Sequence, residues 1–193
     1  MPVNFRLVLR LLSALPALLA VAGALGQSLA NDTTAALSLT RSVSVPLNAV
    51  KLFDRAMEAW TWTFGQEPGA TLLRHDREQG VIEGIARVNF RSEMLNNREE
   101  TMGIIQYRVI INITAGECRT VVTELTHSGN RNAPRNGIHL GRITRSTVPP
   151  RKVPGMGRSN AIRLYQEVKQ TATARLQHLM LAFDSRLRAG EGP

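Results

Sequence analysis

The 193-residue chain is poor in the groups from which most catalytic sites are built. It has one cysteine, Cys118, so no intrachain disulfide can form and an oxidising compartment cannot reinforce the fold. Cys118 falls in a predicted strand, with no adjacent His or Lys to lower its pKa. That position suits a small apolar filler better than a nucleophilic thiol. The four histidines, His75, His127, His139 and His178, show no metal-ligand spacing. No nucleophile-elbow motif is present, and no carboxylate pair suggests glycoside hydrolysis. Acid is scarce as well, with 15 Asp and Glu against 24 Lys and Arg, a net charge of +9. The sequence therefore implies no cofactor, no metal and no catalytic residue.

Long apolar runs are also lacking, with one exception. Arg6 and Arg10 precede Leu11–Gly26, an uncharged and mostly apolar stretch of 16 residues containing Pro16. A membrane-spanning helix needs roughly 20 apolar residues, so a retained anchor is the weaker reading. A basic start, a short apolar run and small residues beyond it read as a secretory signal peptide over residues 1–26. Ala24 and Gly26 suit cleavage before Gln27, and Ser28 and Ala30 suit cleavage before Asn31. The expected localisation is periplasmic or secreted. Cleavage after Gly26 removes two of the basic residues and none of the acidic ones, leaving about 167 residues with net charge +7, enough for one core.

Periodicity organises the rest. Residues 27–35 are small and polar and read as a flexible leader, followed by a single α+β domain over 36–187 and a tail over 188–193. Leu37, Leu39, Val43 and Val45 alternate with polar residues, which predicts a first strand with Arg41 on its apolar side at an exposed end or edge. Asn48 is the expected N-cap of a helix whose apolar face is Val50, Phe53, Met57, Trp60 and Phe64, with Gly65 as its C′ residue. Trp60 reads as core and Trp62 as exposed. Strands are predicted at 71–75, 81–90, 102–114 and 117–126. Gly84 sits on the apolar face of the second of these, where a close approach or a bend is expected. Leu164, Val168, Ala172, Leu176, Leu179, Phe183 and Leu187 form the stripe of a long last helix from Asn160 to Leu187. The order is β-α-β-β-β-β-α. Short connections between the last four strands predict an antiparallel sheet of about five strands, with two helices on one face and the other partly open.

These elements and residues resemble a bacterial domain-of-unknown-function family with a TATA-binding-protein-like fold. The matching features begin with Ser44-Val45-Pro46 leading into a helix with Leu52-Phe53 and Ala56, then Trp60 and Phe64 near its end. Arg74-His75-Asp76 running into Gly80-Val81-Ile82-Glu83-Gly84 follows, then the Tyr107 strand and the last helix. The resemblance covers roughly residues 36–187. It implies a Gram-negative source and a signal peptide but no activity, and likeness to a DNA-binding fold does not by itself imply DNA binding.

One segment departs from that pattern. Residues 128–159 lack a clear period and read as a long basic loop, of the kind that is either functional or disordered. Between Glu124 and Glu167 there is no acid, but Arg131, Arg135, Arg142, Arg145, Arg151, Lys152, Arg158 and Arg163 are present. The segment ends in Gly155-Met156-Gly157-Arg158-Ser159-Asn160, directly before a helix whose free N–H groups can hold an anion. The candidate anion-binding residues are Arg142, Arg145, Arg151, Lys152, Gly157, Arg158 and Ser159. The competing reading is a solvated, mobile loop with a capped helix after it.

The functional expectation is an exported non-enzymatic binding or scaffold module of the bacterial cell envelope, contacting an envelope protein or anionic polymer through this loop. The alternative is a hydrolase or transferase acting on a phosphorylated or acidic envelope substrate, which requires a pocket joining the loop to His127 or His139. Peripheral contact with anionic lipid is a third reading. Nucleic acid is disfavoured, because the loop has no Phe, Tyr or Trp for stacking and export removes the chain from it.

Overall fold

A computed structural model describes residues 34–95, 98–133 and 136–189. The signal-peptide expectation, both cleavage positions and Arg135 lie outside the described residues. No helix among the described residues is long and apolar enough to cross a membrane.

The strands are β1 (Leu39–Ser44), β2 (Thr71–Asp76), β3 (Val81–Phe90), β4 (Gly103–Thr114), β5 (Glu117–Gly129) and β6 (Gly141–Arg142). The helices are α1 (Ala49–Thr61) and α2 (Arg158–Arg188). The sheet is antiparallel in the order β1-β5-β4-β3-β2, with β6 also paired to β5. Consecutive strands β2 to β5 lie side by side, as short connections require. The link between β4 and β5 is the two residues Ala115-Gly116, and Gly116 supplies the positive φ, +80°, of a tight hairpin turn.

Alternation fixes which face is buried. Ile82, Ala86, Val88 and Phe90 of β3 and Ile105, Tyr107, Val109, Ile111 and Ile113 of β4 are all buried. They meet Leu52, Phe53, Ala56 and Trp60 of α1 and Leu164, Val168, Leu176, Phe183 and Leu187 of α2 in one core. In β5 the phase of the alternation changes. Cys118 and Val122 point inward, and so do Leu125 and His127, an odd offset from the first pair. A β-bulge makes the switch: Gln106 pairs with Thr126 and Arg108 with Thr123, so Glu124 and Leu125 together oppose Tyr107. Glu124 takes the unusual φ of +56° there. This bulge carries β5 on to Gly129, past the expected end at Thr126.

The cap of α1 is as expected, with Asn48 Oδ1 accepting the Lys51 N–H at 2.9 Å. Its end differs. Trp62 is the C-cap, and Gly65 lies inside a following 3-10 turn, Phe64–Gln66. Val50, expected on the apolar face, is 53% exposed at the first turn, before the helix reaches the core. Trp60 is buried and Trp62 is exposed against Arg186. Arg41 does lie on the inward side of the edge strand β1, where it pairs with the buried Asp184 of α2.

Segment 128–159 contains structure that its sequence did not signal. Beyond β6, Ala36 bridges Thr144, and the Ile143 N–H donates to Leu125 O at 2.8 Å. Leu140, Ile143 and Val153 are buried. Helix α2 then holds the segment by side chains. Tyr165 Oη accepts the Thr144 N–H at 2.7 Å, and Lys169 Nζ donates to Arg145 O at 2.7 Å and Ser146 O at 2.9 Å. The segment is a strap tied to the sheet and to α2. The sequence left the order of this basic loop open, because these anchors are single contacts at irregular spacing, which leave no period to read.

Candidate functional site

Between the end of the strap and the start of α2 lies a groove of about 360 Å³. Its lining comes from two consecutive stretches. Val148, Pro149, Pro150, Arg151, Lys152 and Val153 approach from the strap, followed by Met156, and Arg158, Ala161 and Ile162 from the first turns of α2. Two consecutive prolines stiffen residues 149–150, since each fixes φ and restricts the residue before it. Val153 and Ala161 are buried and make the floor, while Val148 stands 42% exposed. Helix α2 begins at Arg158, two residues earlier than expected, with Gly157 as the N-cap. Gly157 has no side chain with which to cap, so the first-turn N–H groups remain available. Asn160, expected to open the helix, lies within it, as does Ser159.

The structure thus divides the predicted anion-binding residues. Arg151, Lys152 and Arg158 line one groove, with Gly157 at the helix start and Ser159 in its first turn. Arg142, in β6, and Arg145, after the Ala36 bridge, do not line it. Arg151, Lys152 and Arg158 are exposed and form no ion pair among the described residues. Glu167 of α2 accepts from Ser92 Oγ and the Glu93 N–H, both at 2.6 Å, and so ties the turn after β3 to α2. The groove therefore presents three unneutralised cations around an aliphatic floor, beside the positive end of a 31-residue helix.

His127 and His139 come close but are arranged for structure. His127 is buried, with the Phe90 ring edge-on at 5.6 Å. Its Nδ1 accepts the Leu140 N–H at 3.4 Å, leaving Nε2 without a hydrogen-bond partner. His139 Nδ1 accepts the Gly129 N–H at 3.2 Å, and its Nε2 is 3.0 Å from Asn136 O. Neither ring contacts a carboxylate, and neither lines the groove. Burial, helped by the nearby His139, pushes the His127 pKa down to about 4. The thiol of Cys118 is pushed up to about 12 by burial and then by Asp184 and Glu117, so it is a neutral core group at neutral pH. Among the described residues no group of three His, Cys, Asp or Glu side chains could hold a metal ion.

A buried, neutral His127 should make the fold sensitive to acid. The unfolded chain binds a proton at His127 near pH 6.5 and the folded chain only near pH 4, so stability falls as pH drops through that window. The loss is on the order of 3 kcal/mol. Urea unfolding at pH 7.5 and at pH 4.5 should show it, and His127→Gln should flatten the difference. An equal pH dependence in the variant would mean that His127 is not the group responsible.

A second polar cluster lies inside the core. The Glu67 carboxylate, 5% exposed, pairs with Arg175 of α2. Tyr107 of β4 is buried with its hydroxyl unpaired. Burial, then the negative charge of Glu67, raises the Tyr107 pKa far above the ordinary phenol value, so the hydroxyl stays protonated. Sequence reading missed this cluster, because residues 67, 107 and 175 share no local pattern.

Among solved structures the chain is similar to a DUF4468 family protein from Bacteroides ovatus. The two are 11% identical, covering 77% of this chain and 86% of that chain, with a TM-score of 0.50. A TBP-like protein from Parabacteroides distasonis is 10% identical over 77% of this chain and 92% of that one, with a TM-score of 0.49. At such identity the first match shows the fold alone. No protein-family model and no curated protein matches the sequence. The expected α+β class, with an antiparallel sheet and both helices on one face, is what the structure has. The resemblance to a bacterial domain of unknown function holds at the level of the fold.

Proposed function

We propose that this chain is an exported, non-enzymatic binding or scaffold module of the bacterial cell envelope that contacts anionic ligands through the groove at 148–162. One observation carries the reading. Arg151, Lys152 and Arg158 converge without ion-pair partners in a stretch that has no acid from residue 125 to residue 166. Unpaired guanidinium groups favour bidentate contact with phosphate or carboxylate. The basic start and short apolar run of residues 1–26 support export, and the Bacteroides structure of similar fold supports a bacterial setting.

Cell fractionation with N-terminal sequencing tests the compartment. The expected product is an envelope or secreted protein beginning at Gln27 or Asn31, and a cytoplasmic protein beginning at Met1 contradicts export. Capture of partners from an envelope fraction tests the contact. Arg151→Ala with Lys152→Ala and Arg158→Ala should lose the salt-sensitive partners, and an unchanged set removes the groove from the account.

A further inference from the structure

We infer that the groove is a seat for the surface of an anionic phospholipid bilayer, with Arg151, Lys152 and Arg158 on the headgroup phosphates and Val148 at the apolar boundary. This rests on the anionic-ligand reading above and names the ligand. A site for a bare polyanion needs cations and N–H groups but no exposed aliphatic side chain. Here Val148 is 42% exposed and lines the groove together with Pro149, Pro150, Met156 and the three cations. An exposed aliphatic side chain in a cationic groove matches a lipid surface, which offers phosphate outside and hydrocarbon beneath. Stacking aromatics, which a single-stranded nucleic acid would use, are absent from the groove lining.

Vesicle co-sedimentation of the full chain tests the inference, using phosphatidylcholine vesicles with and without phosphatidylglycerol. The apolar run contributes to both arms, so the readout is the added affinity that phosphatidylglycerol confers. Wild type should gain at least tenfold, and salt should remove the gain. Arg151→Glu with Lys152→Glu and Arg158→Glu should lower binding to the anionic vesicles on the order of 100-fold. Val148→Asp should lower it about tenfold by placing an acid in the groove. All four positions are exposed, and circular dichroism should show an unchanged fold. The inference is overturned by anionic preference that survives the triple variant, or by competition from free glycerol phosphate as effective as that from vesicles. If soluble polyphosphate binding requires the three cations while vesicles are not bound, the lipid assignment fails and the anion-binding reading stands. If neither ligand is bound, both fail.

Discussion

Gly84→Ala should destabilise the protein by about 3 kcal/mol, the upper end of what overpacking a core costs. A Cβ at Gly84 would stand 2.4 Å from Trp60 Cη2, 2.6 Å from Trp60 Cζ2 and 2.9 Å from Thr71 O. Non-bonded carbon atoms prefer roughly 3.5–4.0 Å, so one methyl group overlaps an indole and a backbone carbonyl together. Trp60 has little room to retreat, being buried and stacked on Phe64 at 5.6 Å, which in turn meets Phe183 of α2 at 5.9 Å. Urea denaturation measures the effect as a lower midpoint. Trp60→Phe should recover part of the loss when combined with Gly84→Ala, because it removes the ring atoms that collide. A neutral Gly84→Ala would show that α1 does not rest on β3 at this point.

Arg175→Met should cost about 2–3 kcal/mol. Removing one partner of a buried ion pair leaves a carboxylate without compensation, at about 3–5 kcal/mol when both partners are buried. Arg175 is 45% exposed and Glu67 is 5% exposed, so water supplies part of what the arginine loses and little of what Glu67 loses. The unpaired Tyr107 hydroxyl, whose titration responds to both charges, does not replace the guanidinium. Glu67→Gln together with Arg175→Met should be more stable than Arg175→Met alone, since the double change leaves no orphaned charge. Chemical denaturation of the two single variants and the double one gives the coupling. Additive losses would mean that the two residues act independently.

How far the sequence could be read depended on whether the signal was local. Strand β3 runs from Val81 to Phe90 as the alternation predicts, because each inward residue meets the same core layer. Asn48 and Gly84 were legible for a similar reason. A cap is a contact within three residues, and a glycine on an apolar face implies a close neighbour. Long-range polar pairing was not legible. Glu67 with Arg175 and Arg41 with Asp184 join residues more than 100 positions apart. The bulge at Glu124 was hidden as well, since shifting the alternation by one residue resembles the end of a strand. The candidate site was half visible. Its cations and the glycine before α2 follow from composition, but which cations share a groove depends on anchors such as Tyr165 and Lys169. Those anchors separate Arg142 and Arg145 from the three arranged around Val153.

That separation provides the most direct test of the central claim, that anion contact resides in the groove. Binding of soluble polyphosphate should be measured over a series of salt concentrations for three proteins: wild type, Arg142→Ala with Arg145→Ala, and Arg151→Ala with Lys152→Ala and Arg158→Ala. The slope of log affinity against log salt reports how many phosphates are neutralised. The triple variant should lose most of the affinity and flatten the slope, while the double variant stays close to wild type. Equal loss in both variants, or a triple variant with the wild-type slope, would contradict the claim.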